Sequence, residues 1–195
     1  MHSFLIPIKL SDNPKSRLSK VLSLNKRIEF MEFCLTNLIN SIYAVIPNPD
    51  IHLLIKGINE KVFAVNKHFS DLPLNQAILS VTNNLFEFGH RITILHADLP
   101  ILTEESIIRI NQTIPKNEAY IYPDEYLSGT NGLTYTHGSI KKFVFGDSSY
   151  SNFINLAKIE NIEMISVNDP GIAFDLDDEE DFIKVPQNIR NKLLD

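Results

Sequence analysis

The sequence predicts an α/β fold in which a mostly parallel central sheet carries helices on both faces. Three observations lead there. Short apolar runs alternate with segments whose apolar residues recur every three or four positions. The links between them are short, as in βα units. Finally, the stretch Ile92-Thr93-Ile94-Leu95-His96-Ala97-Asp98-Leu99-Pro100 reads as a buried strand that carries one carboxylate to its C-terminal end before proline stops it. Ligands of open parallel sheets bind just beyond such strand ends, which places Asp98 where chemistry is done.

The elements follow in order. Residues 4–8 form a short strand, broken at Pro7 and followed by the polar loop 9–15. Ile28, Met31, Leu35, Leu38 and Ile42 stripe an amphipathic helix over 25–42. Residues 51–55 make a second strand and 59–66 a short helix. Leu74, Ile78, Val81, Leu85 and Phe88 stripe the next helix, with Gly89 as its C-cap. The central strand spans 91–97, and the helix 104–114 starts on a Thr103 cap with Glu104 and Glu105 in its first turn. Beyond residue 115 come a strand at 119–122, a polar turn at 128–132 and a strand at 133–136. A loop at 143–149, a helix at 152–159 and a strand at 162–167 follow. The turn Asp169-Pro170-Gly171 leads to a last strand, 172–176, that runs into the acidic segment 177–181.

Composition narrows the class. A chain of 195 residues with 44% apolar content cores one domain, 1–195, better than two. A net charge of −6 argues against a nucleic-acid footprint. The early cations Lys9, Lys15, Arg17, Lys20, Lys26 and Arg27 suit a small anionic ligand instead. No apolar run reaches membrane-spanning length, the N-terminus has no signal-peptide layout, and the lone Cys34 forms no internal disulfide. The expectation is a soluble cytoplasmic protein, with oligomeric state, a homodimer included, left open.

Two groups of residues carry chemistry. Asp98, with Asp175 and Asp177 spaced to share one side of an extended segment, offers hard oxygen ligands to Mg²⁺ at a nucleotide site. Asp177 also suits a helix N-cap, and Asp178 to Asp181 suit the helix dipole. The segment around Lys9, Lys15 and Arg17 provides a strand, a loop and a helix start, the ingredients of a triphosphate cradle. It lacks Walker glycines, and a solvated basic face remains an equal reading. Gly129-Thr130-Asn131 and Phe145-Gly146-Asp147-Ser148-Ser149 are polar loops suited to a ligand, although the second by itself suits a plain helix cap better. The histidines show no metal-ligand spacing, and no nucleophile elbow is present.

In order along the chain, Pro7-Ile8-Lys9, Lys15-Ser16-Arg17-Leu18, Leu74-Asn75-Gln76-Ala77-Ile78, Ala97-Asp98-Leu99-Pro100, Gly129-Thr130-Asn131, Phe145-Gly146 with Ser149, Pro170-Gly171 and Asp175-Leu176-Asp177 resemble the 2-phospho-L-lactate guanylyltransferases of coenzyme F(420) biosynthesis. That family, of CofC type, is related to the molybdenum-cofactor nucleotidyltransferases. The resemblance implies a Rossmann-like nucleotidyltransferase domain that moves GMP from GTP to a small phosphorylated acid and releases pyrophosphate. The acid would be 2-phospho-L-lactate, phosphoenolpyruvate or 3-phosphoglycerate. It further implies nucleotide contacts from Pro7, Lys9, Lys15, Arg17, Leu74, Asn75 and Asp98, with Lys15, Arg17 and Asp98 catalytic. Acceptor contacts would come from Thr130, Asn131, Gly146 and Ser149, and Mg²⁺ would be held by Asp98, Asp175 and Asp177. The sequence departs from the family with Pro73 before the Leu-Asn pair and Lys56 after the second strand, where an acidic residue is usual. Another nucleotidyltransferase of this fold, or a nucleotide-binding regulator without turnover, are the alternatives.

Overall fold

Among the described residues, seven strands form one sheet in the order β3-β2-β1-β4-β6-β5-β7. The computed structural model describes residues 2–9, 13–57, 65–112 and 118–194. The strands are β1 (His2–Lys9), β2 (Asp50–Lys56), β3 (Asn66–Phe69), β4 (Arg91–Leu95), β5 (Glu118–Pro123), β6 (Thr130–Thr136) and β7 (Glu163–Ser166). The helices are α1 (Leu24–Val45), α2 (Leu74–Leu85), α3 (Glu104–Ile110), α4 (Ser149–Glu160), α5 (Pro170–Ala173), α6 (Glu179–Lys184) and α7 (Gln187–Leu194), with a 3₁₀ turn at Ser16–Leu18. Among the described strands, β6 alone runs against the rest, pairing antiparallel with both β4 and β5.

Both faces of the sheet are covered, which is why its strands read as nearly continuous apolar runs. Phe4, Ile6, Leu53 and Leu95 pack with Leu38 and Ile42 of α1 and Ile107 and Ile110 of α3. Leu5, Ile92, Ile94 and Leu133 pack with Ile78 of α2 and Phe153 of α4. A third cluster joins Leu18, Phe30 and Cys34 to Phe174, Leu176 and Phe182.

Several expectations change. Pro7 does not break β1: it pairs in register with Leu54, while the β4 ladder stops at Leu5 and leaves that side of β1 open beyond it. The buried face of α1 centres on Arg27, Phe30, Cys34 and Leu38, leaving Ile28 and Met31 only partly covered. α2 ends at Leu85, with Phe86 turning inward and Phe88 left outside, so Gly89 at φ 88° serves the turn into β4 rather than a helix cap. The short helix expected at 59–66 lies mostly outside the described residues, and Asn66 opens β3, an edge strand too polar to reveal itself by alternation. Thr130, Asn131 and Gly132 belong to β6, not to a turn. Asp169 caps the short helix α5, and 174–177 is extended but pairs with no strand, because α5 has already lifted the chain off the sheet. The Thr103 cap of α3 forms as expected, its hydroxyl accepting from the Ser106 N–H.

Candidate active site

From β1 the chain moves outward through β2 to β3, then returns to lay β4 on the other side of β1. That reversal opens a crevice at the carboxyl ends of β1 and β4, the position where open α/β sheets hold ligands. A cavity of about 670 Å³ lies there, a size ordinary for a small-molecule site. Its walls include Pro7 and Lys9 from β1, Lys15 and Arg17 from the 3₁₀ turn, Leu74 from α2, Asp98 after β4, and Asp177. Seven of the residues singled out from sequence therefore meet in one place.

Lys15 organises the mouth of the cavity. Its Nζ donates to Asp98 Oδ2 and to Asp177 Oδ1, each at 2.6 Å, with only 11% of the side chain exposed. Its backbone takes φ 48°, the left-handed region that a lysine enters only when surroundings hold it there. Burial alone would lower the Lys15 pKa, but Asp98 and Asp177 outweigh it and raise it. Burial would likewise raise Asp98, yet the Lys15 ammonium holds it below the usual carboxylate range. Arg17 stands 3.9 Å from Asp177 and is largely solvated. The other early cations have different work: Arg27 is buried and donates to Asn13 Oδ1 and the Pro14 carbonyl, clamping the loop ahead of Lys15. Lys20 pairs with Glu179 and Lys26 with Glu29.

The acidic pair arrives on 174–177. Phe174 and Leu176 turn into the third apolar cluster, so the alternate residues Asp175 and Asp177 share the other side. Asp175 is driven up to about 6 by burial and then by Asp98 and Asp177. Asp178, not Asp177, caps α6, accepting from the Glu180 and Asp181 N–H groups. Asp177 is thereby left to the site.

The remaining predicted residues stand beside the cavity rather than on its wall. The Asn75 side chain exchanges two hydrogen bonds with the backbone of Phe145, at 2.9 and 3.0 Å, and so anchors that loop to α2. Asn131 is buried with its amide on the carbonyls of Ile172 and Ala173. Ser149 opens α4, with its N–H on the Gly146 carbonyl. The Tyr150 N–H meets the Ser128 carbonyl, which brings this loop against the start of β6. At Gly146, φ is 120° and a Cβ would meet nothing within 4 Å, so glycine serves the backbone conformation and leaves open space above it. The Thr130 hydroxyl is buried without a hydrogen-bond partner among the described residues.

The cavity residues that the sequence did not assign to a site include three polar or cationic neighbours of the predicted ones. Lys56 sits beside Lys9 because β1 and β2 pair in parallel register, a neighbourhood that sequence order hides. Ser70 follows the unrecognised β3. His96 has no motif spacing, but it stands two residues before Asp98 and its ring lies 5.4 Å from that of Phe145.

The carboxylates suit a hard divalent cation. Asp98 Oδ1 is buried without a hydrogen-bond partner among the described residues, and Asp98 and Asp177 stand close enough to add to the burial that raises Asp175. Among the described residues no three such side chains close into a metal cage. Mg²⁺ is commonly bound through one or two carboxylates, with its further positions left to water and phosphate. Cys34 is buried and its thiol is pushed up by that burial, so it is no nucleophile. Among the described residues no helix is long and apolar enough to cross a membrane.

The sheet order and the crevice define a class, that of open α/β proteins with a ligand site where the strand order reverses. A solved protein of Desulfovibrio desulfuricans G20, described as a nucleotide-diphospho-sugar transferase, shares the fold with a TM-score of 0.76 over 97% of this chain and 88% of its own, at 14% identity. The profile of the family described as "Guanylyl transferase CofC like" matches residues 2–186, and the chain belongs to that family. Among similar proteins, the phosphoenolpyruvate guanylyltransferase of Chloroflexus aurantiacus is 26% identical over 92% of both chains. The 2-phospho-L-lactate guanylyltransferase of Methanosarcina mazei is 28% identical over 93% of this chain and 84% of its own.

Proposed function

We propose that this protein transfers the guanylyl group of GTP to the phosphate of a small phosphorylated carboxylic acid. The observation that carries the reading is the convergence of Lys15, Asp98 and Asp177 at the mouth of a cavity also lined by Lys9, Lys56 and Arg17. An oxygen of the acceptor phosphate forms a bond to the α-phosphorus of GTP. The bond from that phosphorus to the bridging oxygen breaks, and pyrophosphate leaves with the electron pair. A phosphate monoester is already ionised at neutral pH, so no base has to remove a proton. The protein's task is to bring two anions together in line, which cations and fixed geometry accomplish.

Lys9, Lys56 and Arg17 would neutralise the triphosphate, and Lys15 would bridge its charge to the aspartates. Asp98, with one or both of Asp175 and Asp177, would hold Mg²⁺, which when bound supplies charge neutralisation at phosphate oxygens. The names of the relatives support phosphoenolpyruvate or 2-phospho-L-lactate as acceptor. The test is pyrophosphate release from GTP and Mg²⁺, with those two acids and 3-phosphoglycerate in parallel and ATP as control. Release with GTP and one acid is expected, and Asp98→Asn should lower its rate at least about 100-fold while folding normally. Near-native rates in that variant would overturn the metal reading. Silence with every acid, in protein that binds GTP, would overturn the choice of acceptor.

A further inference from the structure

Asn131 stands at the junction of the two arms that carry the carboxylates. It lies on β6 and is 3% exposed. Its backbone carbonyl accepts from the His96 N–H at 2.9 Å, immediately after β4 ends and two residues before Asp98. Its side-chain amide points the other way in function. Nδ2 donates to the carbonyls of Ile172 at 2.9 Å and Ala173 at 3.3 Å, and reaches Asp175 Oδ1 at 3.4 Å. One residue therefore grips the segment that delivers Asp98 and the segment that delivers Asp175. The two segments are far apart in sequence and share no strand pairing, since 174–177 has left the sheet.

We propose that Asn131 is a positioning residue that fixes Asp175 relative to Asp98, and not a contact to the acceptor. The amide has only two hydrogens, and three acceptors on the Asp175 arm already share them. Partners of this kind orient ligating groups, and their loss typically weakens a metal site about 10–100-fold. The proposal rests on the reading that these aspartates hold Mg²⁺.

The experiment compares wild type, Asn131→Asp and Asn131→Ala. Aspartate keeps the shape but replaces the donor with a charge facing three oxygens. Alanine removes the donor without adding charge, and serves if the first variant does not fold. The Mg²⁺ concentration for half-maximal pyrophosphate release should rise about 10–100-fold, while the acceptor KM at saturating Mg²⁺ moves less than about twofold. Mn²⁺ binding in the presence of GTP, followed by electron paramagnetic resonance, should weaken in parallel without relying on turnover. Excess Mg²⁺ should restore much of the rate of Asn131→Ala. A raised acceptor KM with unchanged metal dependence would overturn the proposal, as would a lowered Tm with both unchanged. A wild type that needs no divalent cation would instead remove the metal reading and this proposal with it.

Discussion

Asp169 shows what a single buried charge does in this protein. Its side chain is fully buried, accepting from Arg109 Nε at 2.6 Å, Ser106 Oγ at 2.7 Å and the N–H groups of Gly171 and Ile172. These bonds tie the start of α5 to α3, and a Cβ at position 171 would lie 2.5 Å from Ser106 Oγ. Removing the carboxylate leaves four donors without it. Asp169→Ala should destabilise the protein by about 3–5 kcal/mol in urea unfolding, and near-wild-type stability would mean that these bonds contribute little. Sequence placed Asp169 in a turn and missed this role, because Ser106 and Arg109 are some sixty residues away. Asp98 was legible for the opposite reason, since strand, carboxylate and proline are contiguous.

At the scale of elements, the strands differ between their two ends. The carboxyl ends of β1, β2 and β4 gather the cations and aspartates of the site, whereas the amino ends gather histidines. His2 Nε2 lies 2.8 Å from Thr93 Oγ1, His52 Nδ1 lies 2.9 Å from His68 Nε2, and His90 Nε2 lies 2.8 Å from Ser3 Oγ. Burial, and then Arg91, lower His2 from its ordinary 6.5 to about 4; burial also lowers His68 and His90. A histidine lowered on folding takes up its proton more readily in the unfolded chain. Its contribution is present above pH 6.5 and is lost as pH falls toward 4. Between pH 7 and pH 5 the loss should be of order 1 kcal/mol, or about 2–4 °C in Tm for a chain of this size. His2→Gln should flatten the slope, and an unchanged slope would remove His2 from the account. Periodicity found most of the elements themselves, failing where a strand was polar (β3) or where a helix turned the chain away (α5).

For the whole molecule, the site is assembled from both ends of the chain. β1 and the Lys15 turn come from the first twenty residues, and Asp175 and Asp177 from the last quarter. A ligand that bridges them should therefore stabilise the global fold. At 100 times its Kd, GTP with Mg²⁺ should add about 2.7 kcal/mol, roughly 5–10 °C in Tm, with ATP giving less. A Tm indifferent to GTP and Mg²⁺ would count against the cavity as the nucleotide site.

The sequence by itself determined the fold class, the position of Asp98 at a strand end and the ordered motifs of the family. Each depends on residues close together in the chain, where periodicity, turn chemistry and spacing operate. Only the tertiary structure decided which cations line the cavity and which serve the scaffold. It separated Lys15 from Arg27, put Lys56 beside Lys9, and turned Asn75 and Asn131 inward to backbone carbonyls. Those assignments depend on strand register and on hydrogen-bond partners contributed by distant segments, so no local pattern encodes them.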